Sequence, residues 1–291
     1  MRPFELVVPD SLEEAVRLLD PEDPTVRVMS GGTALMLMMK SDVFVPTRLI
    51  SLRGIEAEHS RLEVRPDGSF HIGAMVTLAQ LEHSAALAGF APVIPETMRI
   101  LSNVRIRNMA TVGGALAHGD PHMDLPPVLI ALDATVNTIG PDGARSIRAE
   151  DLHAGYYQTV LEPDELIRDV VIAPQTKRRA TYLKCTTRAA KDWPALGVAV
   201  STVLSEGDAS EVRLVIGSVG DRPVRIAEAE GVLEGRALTP ETIRKAAEAA
   251  ADTVETNSDE LGSAAYKKEL VRVYVERALK AVADPVNEVL T

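Results

Sequence analysis

Two short stretches hold residue types that bind an anion without a cationic cluster. The first is Ser30-Gly31-Gly32-Thr33, which leads into the strong helix formers of Ala34-Leu35-Met36-Leu37-Met38-Met39-Lys40. A glycine pair tolerates positive φ and lets successive backbone N–H groups converge on one concavity. A helix N-terminus just after it adds partial positive charge, and Ser30 and Thr33 add hydroxyls. The second stretch, Ala110-Thr111-Val112-Gly113-Gly114-Ala115, repeats this logic, with a hydroxyl residue ahead of two glycines. One diphosphate gripped by both loops is the chemistry that these spacings allow. Neither loop is the G-x-G-x-x-G of dinucleotide folds, and Gly217-Ser218-Val219-Gly220 does not complete that pattern. A polar cluster of His118, Asp120, His122 and Asp124 follows the second loop. Its donor types could take a metal, but Pro121 breaks the helix that would align the two imidazoles. The cluster reads as a ligand-facing loop, with His118 a hydrogen-bond donor, and no metal is expected.

The loops need elements to carry them. Phe4–Val8 alternates as a short strand, and Ser11 with Glu14 forms a capping box ahead of Leu12, Ala15, Val16 and Leu19. Val26–Met29 is a strand that delivers the first loop, and Arg48–Leu52 is another. Asp67-Gly68 and Asp142-Gly143, each between alternating apolar runs, are hairpin signals. Thr77 and Gln80 form a second capping box. Ala91–Ile106 reads as one helical stretch that delivers the second loop, and Pro126-Pro127 opens a short helix through Leu132. The composition shifts near Pro174, and Lys177-Arg178-Arg179 reads as a solvated link between two domains, residues 1–175 and 176–291. Beyond it lie strands at Gly197–Leu204 and Val212–Val219. A helix is opened by Thr239-Pro240-Glu241, and a last helix has the stripe Tyr266, Leu270, Val273, Tyr274, Ala278.

Composition excludes several functions. The 291 residues suffice for two domains. A single cysteine, Cys185, cannot form an internal disulfide, a four-thiolate zinc site or an iron–sulfur cluster, and it reads as a small buried apolar residue. A net charge of −11 argues against nucleic acid, and 3% aromatic residues offer few stacking platforms. No apolar run reaches the length of a transmembrane segment, so a soluble, cytoplasmic protein is expected. Trp193 divides evenly between a core role and stacking near a ligand or partner. Arg105 and Arg107 divide between neutralising phosphate and the commoner surface salt bridges.

With these residues in view, the chain resembles the FAD-binding medium subunit of the molybdenum hydroxylases, the xanthine dehydrogenase and carbon monoxide dehydrogenase group. Ser30-Gly31-Gly32-Thr33, Ile72-Gly73-Ala74 and Ile106-Arg107-Asn108-x-Ala110-Thr111-Val112-Gly113-Gly114 carry the likeness. So do Asp120-Pro121-x-x-Asp124-Leu125-Pro126-Pro127, Gly155-Tyr156-Tyr157-x-Thr159, Asp192-Trp193-Pro194 and Gly231-x-Leu233-x-Gly235.

The resemblance implies an α+β fold. A two-subdomain FAD-binding domain of the vanillyl-alcohol-oxidase (PCMH) type would precede a smaller domain of β-sheet and helices. It places Ser30, Gly31, Gly32, Thr33 and Ala34 on the diphosphate, with Ala110, Thr111, Gly113 and Gly114 on its other side. His118 and Asp120 would face the cofactor, and Asp124 would hold ribityl or nearby hydroxyls. Leu101 and Ile167 would line the flavin, and Lys184 would stand near the ring, where a cation stabilises its anionic reduced form. The family's working unit adds a [2Fe–2S] small subunit and a molybdopterin large subunit, and a dimer of heterotrimers is expected. The chain would collect electrons from the iron–sulfur subunit and pass them to an external acceptor, with no catalytic side chain of its own. Two rival readings stay open: a self-sufficient FAD-dependent oxidoreductase with its own substrate site, and a non-catalytic nucleotide-binding module.

Overall fold

The computed structural model describes residues 2–55, 57, 59–205 and 207–284. The chain opens with a three-stranded parallel sheet in the order Glu5–Val7, Arg48–Ser51, Val26–Met29. Parallel neighbours need crossovers, and the helices Leu12–Leu18 and Thr33–Lys40 supply them. Ser11 caps the first helix by accepting from the Glu14 N–H. The Glu14 carboxylate accepts from the Asp10 N–H at 2.7 Å, one residue earlier than a capping box requires.

A five-stranded antiparallel sheet follows, in the order Leu62–Val64, Phe70–Gly73, Leu166–Ile172, Ala134–Gly140, Gly143–Arg148. Both hairpins read from Asp-Gly are present, and Gly68 and Gly143 take the positive φ that those turns need. Six short helices between Leu78 and Ala131 contribute to its core. Thr77 and Gln80 close a full capping box on the first of them.

The region read as one helix over Ala91–Ile106 is two, Val93–Ile100 and Val104–Met109. Between them Ser102 turns to a φ of 46°, and the Asn103 carboxamide accepts the N–H groups of Arg105 and Ile106. A strong cap thus outweighs the apolar periodicity. A further helix, Ala85–Phe90, starts at Ser84 and had no expectation attached to it.

The last third is a sheet of Arg178–Cys185, Leu196–Ser205, Asp208–Gly217 and Val224–Arg225, with Arg236–Ala237 also paired to the third strand. The helices Ala227–Leu233, Pro240–Thr253 and Ala264–Ala283 cover it. Of the link read at Lys177-Arg178-Arg179, only Lys177 is an exposed turn residue outside the sheet. Arg178 opens a strand, and its side chain, 10% exposed, reaches Ser201 Oγ and Glu211. Arg179 donates to the Val282 and Ala283 carbonyls at the end of the last helix. The buried stripe of that helix is Lys267, Val271, Val275, Ala278 and Val282. Tyr266 and Val273, placed on it from sequence, are 49% and 39% exposed. Tyr266 thus follows the rim while Tyr274 packs partly buried against the core, and Lys267 lies inside because Asp259 receives its ammonium.

The core of the middle sheet runs without a break into Tyr182, Ala199 and Val215 of the last sheet. Gly217 lies against the helix Leu125–Ala131 so closely that a Cβ there would stand 2.8 Å from Pro127 Cγ. Among the described residues no helix is long and apolar enough to cross a membrane.

Candidate functional site

The two glycine loops meet. Ser30 Oγ and Thr111 Oγ1 are 2.8 Å apart, so one hydrogen bond ties residues 81 positions apart. Gly31 packs on the end of the preceding helix of the other loop: a Cβ there would fall 1.9 Å from the Met109 carbonyl oxygen and 3.0 Å from Ala110 Cα. At Gly114 a Cβ would stand 2.7 Å from Ser30 Oγ and 3.0 Å from Thr111 Oγ1. Both loops are thus built from glycine where the other loop comes close.

Gly32, at φ 69°, is the N-cap of Thr33–Lys40, and no side chain caps that helix. The N–H groups of Thr33, Ala34 and Leu35 precede the first intrahelical bond, Met36 N–H to the Gly32 carbonyl. Ser30 to Met36 are all partly exposed. The first loop therefore offers free donors at a surface, the condition for holding a diphosphate.

The second loop is fixed from behind. Leu78 N–H bonds the Ala110 carbonyl, Val112 N–H the Val76 carbonyl, and Gly113 N–H the Ala74 carbonyl. Gly113 has no room for a side chain, since its Cβ would lie 2.8 Å from that of Ala74. Thr111 caps the helix Val112–His118 by accepting from the Gly114 N–H. Gly114, Ala117 and His118 form that helix's open face, three and four residues apart. Small side chains there leave a shallow trough.

Past the helix, Gly119 turns left-handed and Asp120 is buried at 3% exposure. Burial works to raise its carboxyl pKa, but the His122 ring and the His122 N–H, at 2.9 Å, outweigh burial and hold it below the usual range. Tyr157, at a φ of 53°, also bonds Asp120. Burial and that carboxylate push its phenol up to about 12. The Tyr157 ring meets His118 edge-on at 5.1 Å, and burial lowers the His118 pKa against the pull of Asp120. His118 is thereby a neutral donor or acceptor near pH 7. His122 also points Nε2 at Asp259, 3.6 Å away in the last third of the chain, and stacks with Trp193 at 6.1 Å. Trp193 is 55% exposed and belongs to no core. No group of three metal-ligating side chains occurs among the described residues.

Asp124 and Lys184, assigned separately from sequence, are partners, with Lys184 Nζ 3.0 Å from Asp124 Oδ2. Lys184 also lies 3.4 Å from the Ile100 carbonyl, beside Leu101. Leu101 and Ile167 are each 6% exposed, in the same apolar core. Tyr182, which sequence reading missed, donates its phenol to Asp124 Oδ1 at 2.7 Å. The only available signal was spacing, since residues two apart on a strand share a face. Arg107 proves neither a phosphate ligand nor a surface pair. It is 5% exposed, bonds Glu82 at 2.7 Å, and donates to the Leu101 and Ser102 carbonyls. Cys185 is buried, as expected.

Two glycine loops joined by one hydrogen bond, an uncapped helix end beside them and a second α+β domain packed on the first are an arrangement able to hold a nucleotide-type cofactor. The family model for the FAD-binding domain of molybdopterin dehydrogenases matches residues 2–175, and that for the C-terminal domain of CO dehydrogenase flavoproteins matches residues 181–282. The nicotine 6-hydroxylase medium subunit of Paenarthrobacter nicotinovorans is 34% identical over 93% of this chain and 94% of that protein. The carbon monoxide dehydrogenase medium chain of Afipia carboxidovorans is 33% identical over 95% and 96%. The solved carbon monoxide dehydrogenase of Hydrogenophaga pseudoflava superposes with a TM-score of 0.92 at 32% identity, covering 97% of both chains. The chain belongs to the molybdenum hydroxylase flavoproteins: it is an FAD-binding medium subunit of the carbon monoxide and xanthine dehydrogenase type, and an oxidoreductase component.

Proposed function

We propose that this chain is the electron-distributing subunit of a three-part enzyme. A molybdopterin large subunit oxidises the substrate, a [2Fe–2S] small subunit relays electrons, and this chain passes them to an external acceptor. FAD, when bound, supplies the exchange between single-electron and two-electron chemistry. The Ser30–Thr111 bridge carries the reading, because it makes two separate glycine loops one cradle for one diphosphate.

On this reading Ser30, Gly31, Gly32, Thr33 and Ala34 hold the diphosphate from one side, and Ala110, Thr111, Gly113 and Gly114 from the other. His118 and Asp120 bound the trough, Asp124 takes cofactor hydroxyls, and Leu101, Ile167 and Lys184 surround the ring. Residues 1–175 form the FAD-binding domain and 176–291 the domain that closes it. Substrate choice lies in the large subunit, and two heterotrimers pair. Within this chain the residues orient the cofactor and set its electrostatics, and none acts on an organic substrate.

The test is reconstitution. The purified chain should take up one FAD and show no substrate hydroxylation, and activity should return when both partner subunits are added. Substrate oxidation by the flavin-loaded chain alone would refute the proposal in favour of a self-sufficient oxidoreductase. A protein that takes up no FAD would end both readings.

A further inference from the structure

Asp124 stands at the N-terminus of the helix Leu125–Ala131 yet does not cap it. Its carboxylate turns to the C-terminal sheet, where Tyr182 takes one oxygen at 2.7 Å and Lys184 the other at 3.0 Å. These two residues lie on one face of the strand Arg178–Cys185. The Tyr182 side chain is buried and lies over the neighbouring strand at Gly197, where a Cβ would stand 2.4 Å from the phenol oxygen. Any other residue at 197 would expel the hydroxyl from the carboxylate. Each carboxylate oxygen has two lone pairs, so both keep capacity for a cofactor hydroxyl.

We propose that Tyr182 is a positioning residue of the flavin site: from the second domain its phenol fixes the orientation in which Asp124 meets both Lys184 and the cofactor, and Gly197 leaves the space for it. This rests on the reading that Asp124 faces FAD.

The electrostatics agree with the geometry. Burial raises the Asp124 carboxyl pKa and the charge of Asp120 adds to this, while Lys184 and the Tyr182 hydrogen bond oppose it. Tyr182 is itself pushed well above the ordinary phenol value by burial and by Asp124, so it stays a neutral donor. Without the hydroxyl, burial and Asp120 act against Lys184 alone. Asp124 then protonates more readily, and with FAD bound that carboxylate would take a proton from solvent when negative charge is added beside it.

The experiment uses the full chain loaded with FAD and the variants Tyr182→Phe, Gly197→Ala and Asp124→Asn. It reads FAD affinity, the flavin reduction potential across the neutral pH range, and thermal stability of the flavin-free chain. Tyr182→Phe keeps the ring and loses one hydrogen bond to a charged group, so FAD should bind about tenfold more weakly. Its potential should also fall more steeply with pH than that of the parent, whose slope comes from the flavin's own protonation. Gly197→Ala should reproduce both effects, and it carries the test if Tyr182→Phe does not fold. If Asp124→Asn changes affinity and potential while the other two variants change only thermal stability, Tyr182 and Gly197 are merely structural and the proposal fails. If Asp124→Asn leaves both readings at parent values, the site assignment itself falls.

Discussion

Replacing Gly31 with alanine tests the two-loop cradle most directly. The added Cβ would lie 1.9 Å from the Met109 carbonyl oxygen, a backbone atom on the helix that enters the second loop. An ordinary carbon–oxygen contact is about 3.3 Å, so one loop must retreat by roughly 1.4 Å. A hydrogen bond stretched by that much no longer counts as one. A diphosphate held from both sides then keeps its bonds to one loop only. If two charge-assisted bonds are lost at about 1.5–3 kcal/mol each, the cost is about 3–6 kcal/mol, or roughly 150- to 20,000-fold in Kd. Titration of the flavin-free chain with FAD, followed by flavin fluorescence, measures this. Gly89→Ala is the control. Its Cβ meets nothing within 4 Å, and it sits in the helix Ala85–Phe90. That variant should gain about 0.5–1 kcal/mol of stability and bind FAD as the parent does. A Gly31→Ala protein that folds and retains the parent Kd would show that the loops do not share one ligand.

Three other perturbations read separate parts of the structure. Arg107→Ala leaves the Glu82 carboxylate and two carbonyls without their buried cation, and denaturant unfolding should register a loss of about 3–5 kcal/mol, with lysine only a partial substitute; a loss below about 1 kcal/mol would return Arg107 to the surface pairs. Thr111→Val removes both the helix cap and the bridge to Ser30, so it should cost about 1 kcal/mol of stability, and a double-mutant cycle with Ser30→Ala should show coupling of about 0.5–1.5 kcal/mol; zero coupling would dissolve the bridge. Burial lowers the His153 pKa to about 4 from 6.5, so the unfolded chain binds the proton first as pH falls. Stability from this group is complete above pH 6.5 and is lost between 6.5 and about 4, by up to about 3 kcal/mol. His153→Leu should flatten urea-unfolding stability across that window, and an unchanged acid slope would assign the effect elsewhere.

Features legible in the sequence were those decided within a few residues. Thr77 with Gln80, Asn-free Asp-Gly turns at Gly68 and Gly143, and the glycine pairs of both loops each carry their own geometry. The break at Ser102 was hidden because a left-handed serine leaves no mark on apolar periodicity. Arg178 and Arg179 looked solvated because their acceptors, Glu211, Val282 and Ala283, lie 33 to 104 residues away. Lys267 broke the pattern of the last helix because its acceptors, Asp259 and the Ser218 carbonyl, lie off that helix and make its burial tolerable. In the site, the loop residues were readable singly, but their meeting at Ser30 and Thr111 was not. Tyr182 lay two residues from Lys184, and its role still depended on Asp124, 58 residues earlier.

The reach from Asp124 to Tyr182 and Lys184 also sets an order of events during synthesis. A chain emerging from its N-terminus has both glycine loops by residue 114 and the acid by residue 124. The phenol and ammonium that receive that acid come 58 and 60 residues later. Until then Asp124 lacks both partners, and the middle sheet, whose central strand Leu166–Ile172 emerges just before Tyr182, lacks the part of its core that the last sheet supplies. Arrival of the last sheet completes the shared core and the partners of Asp124 together, so burial of that carboxylate is a late event on the nascent chain.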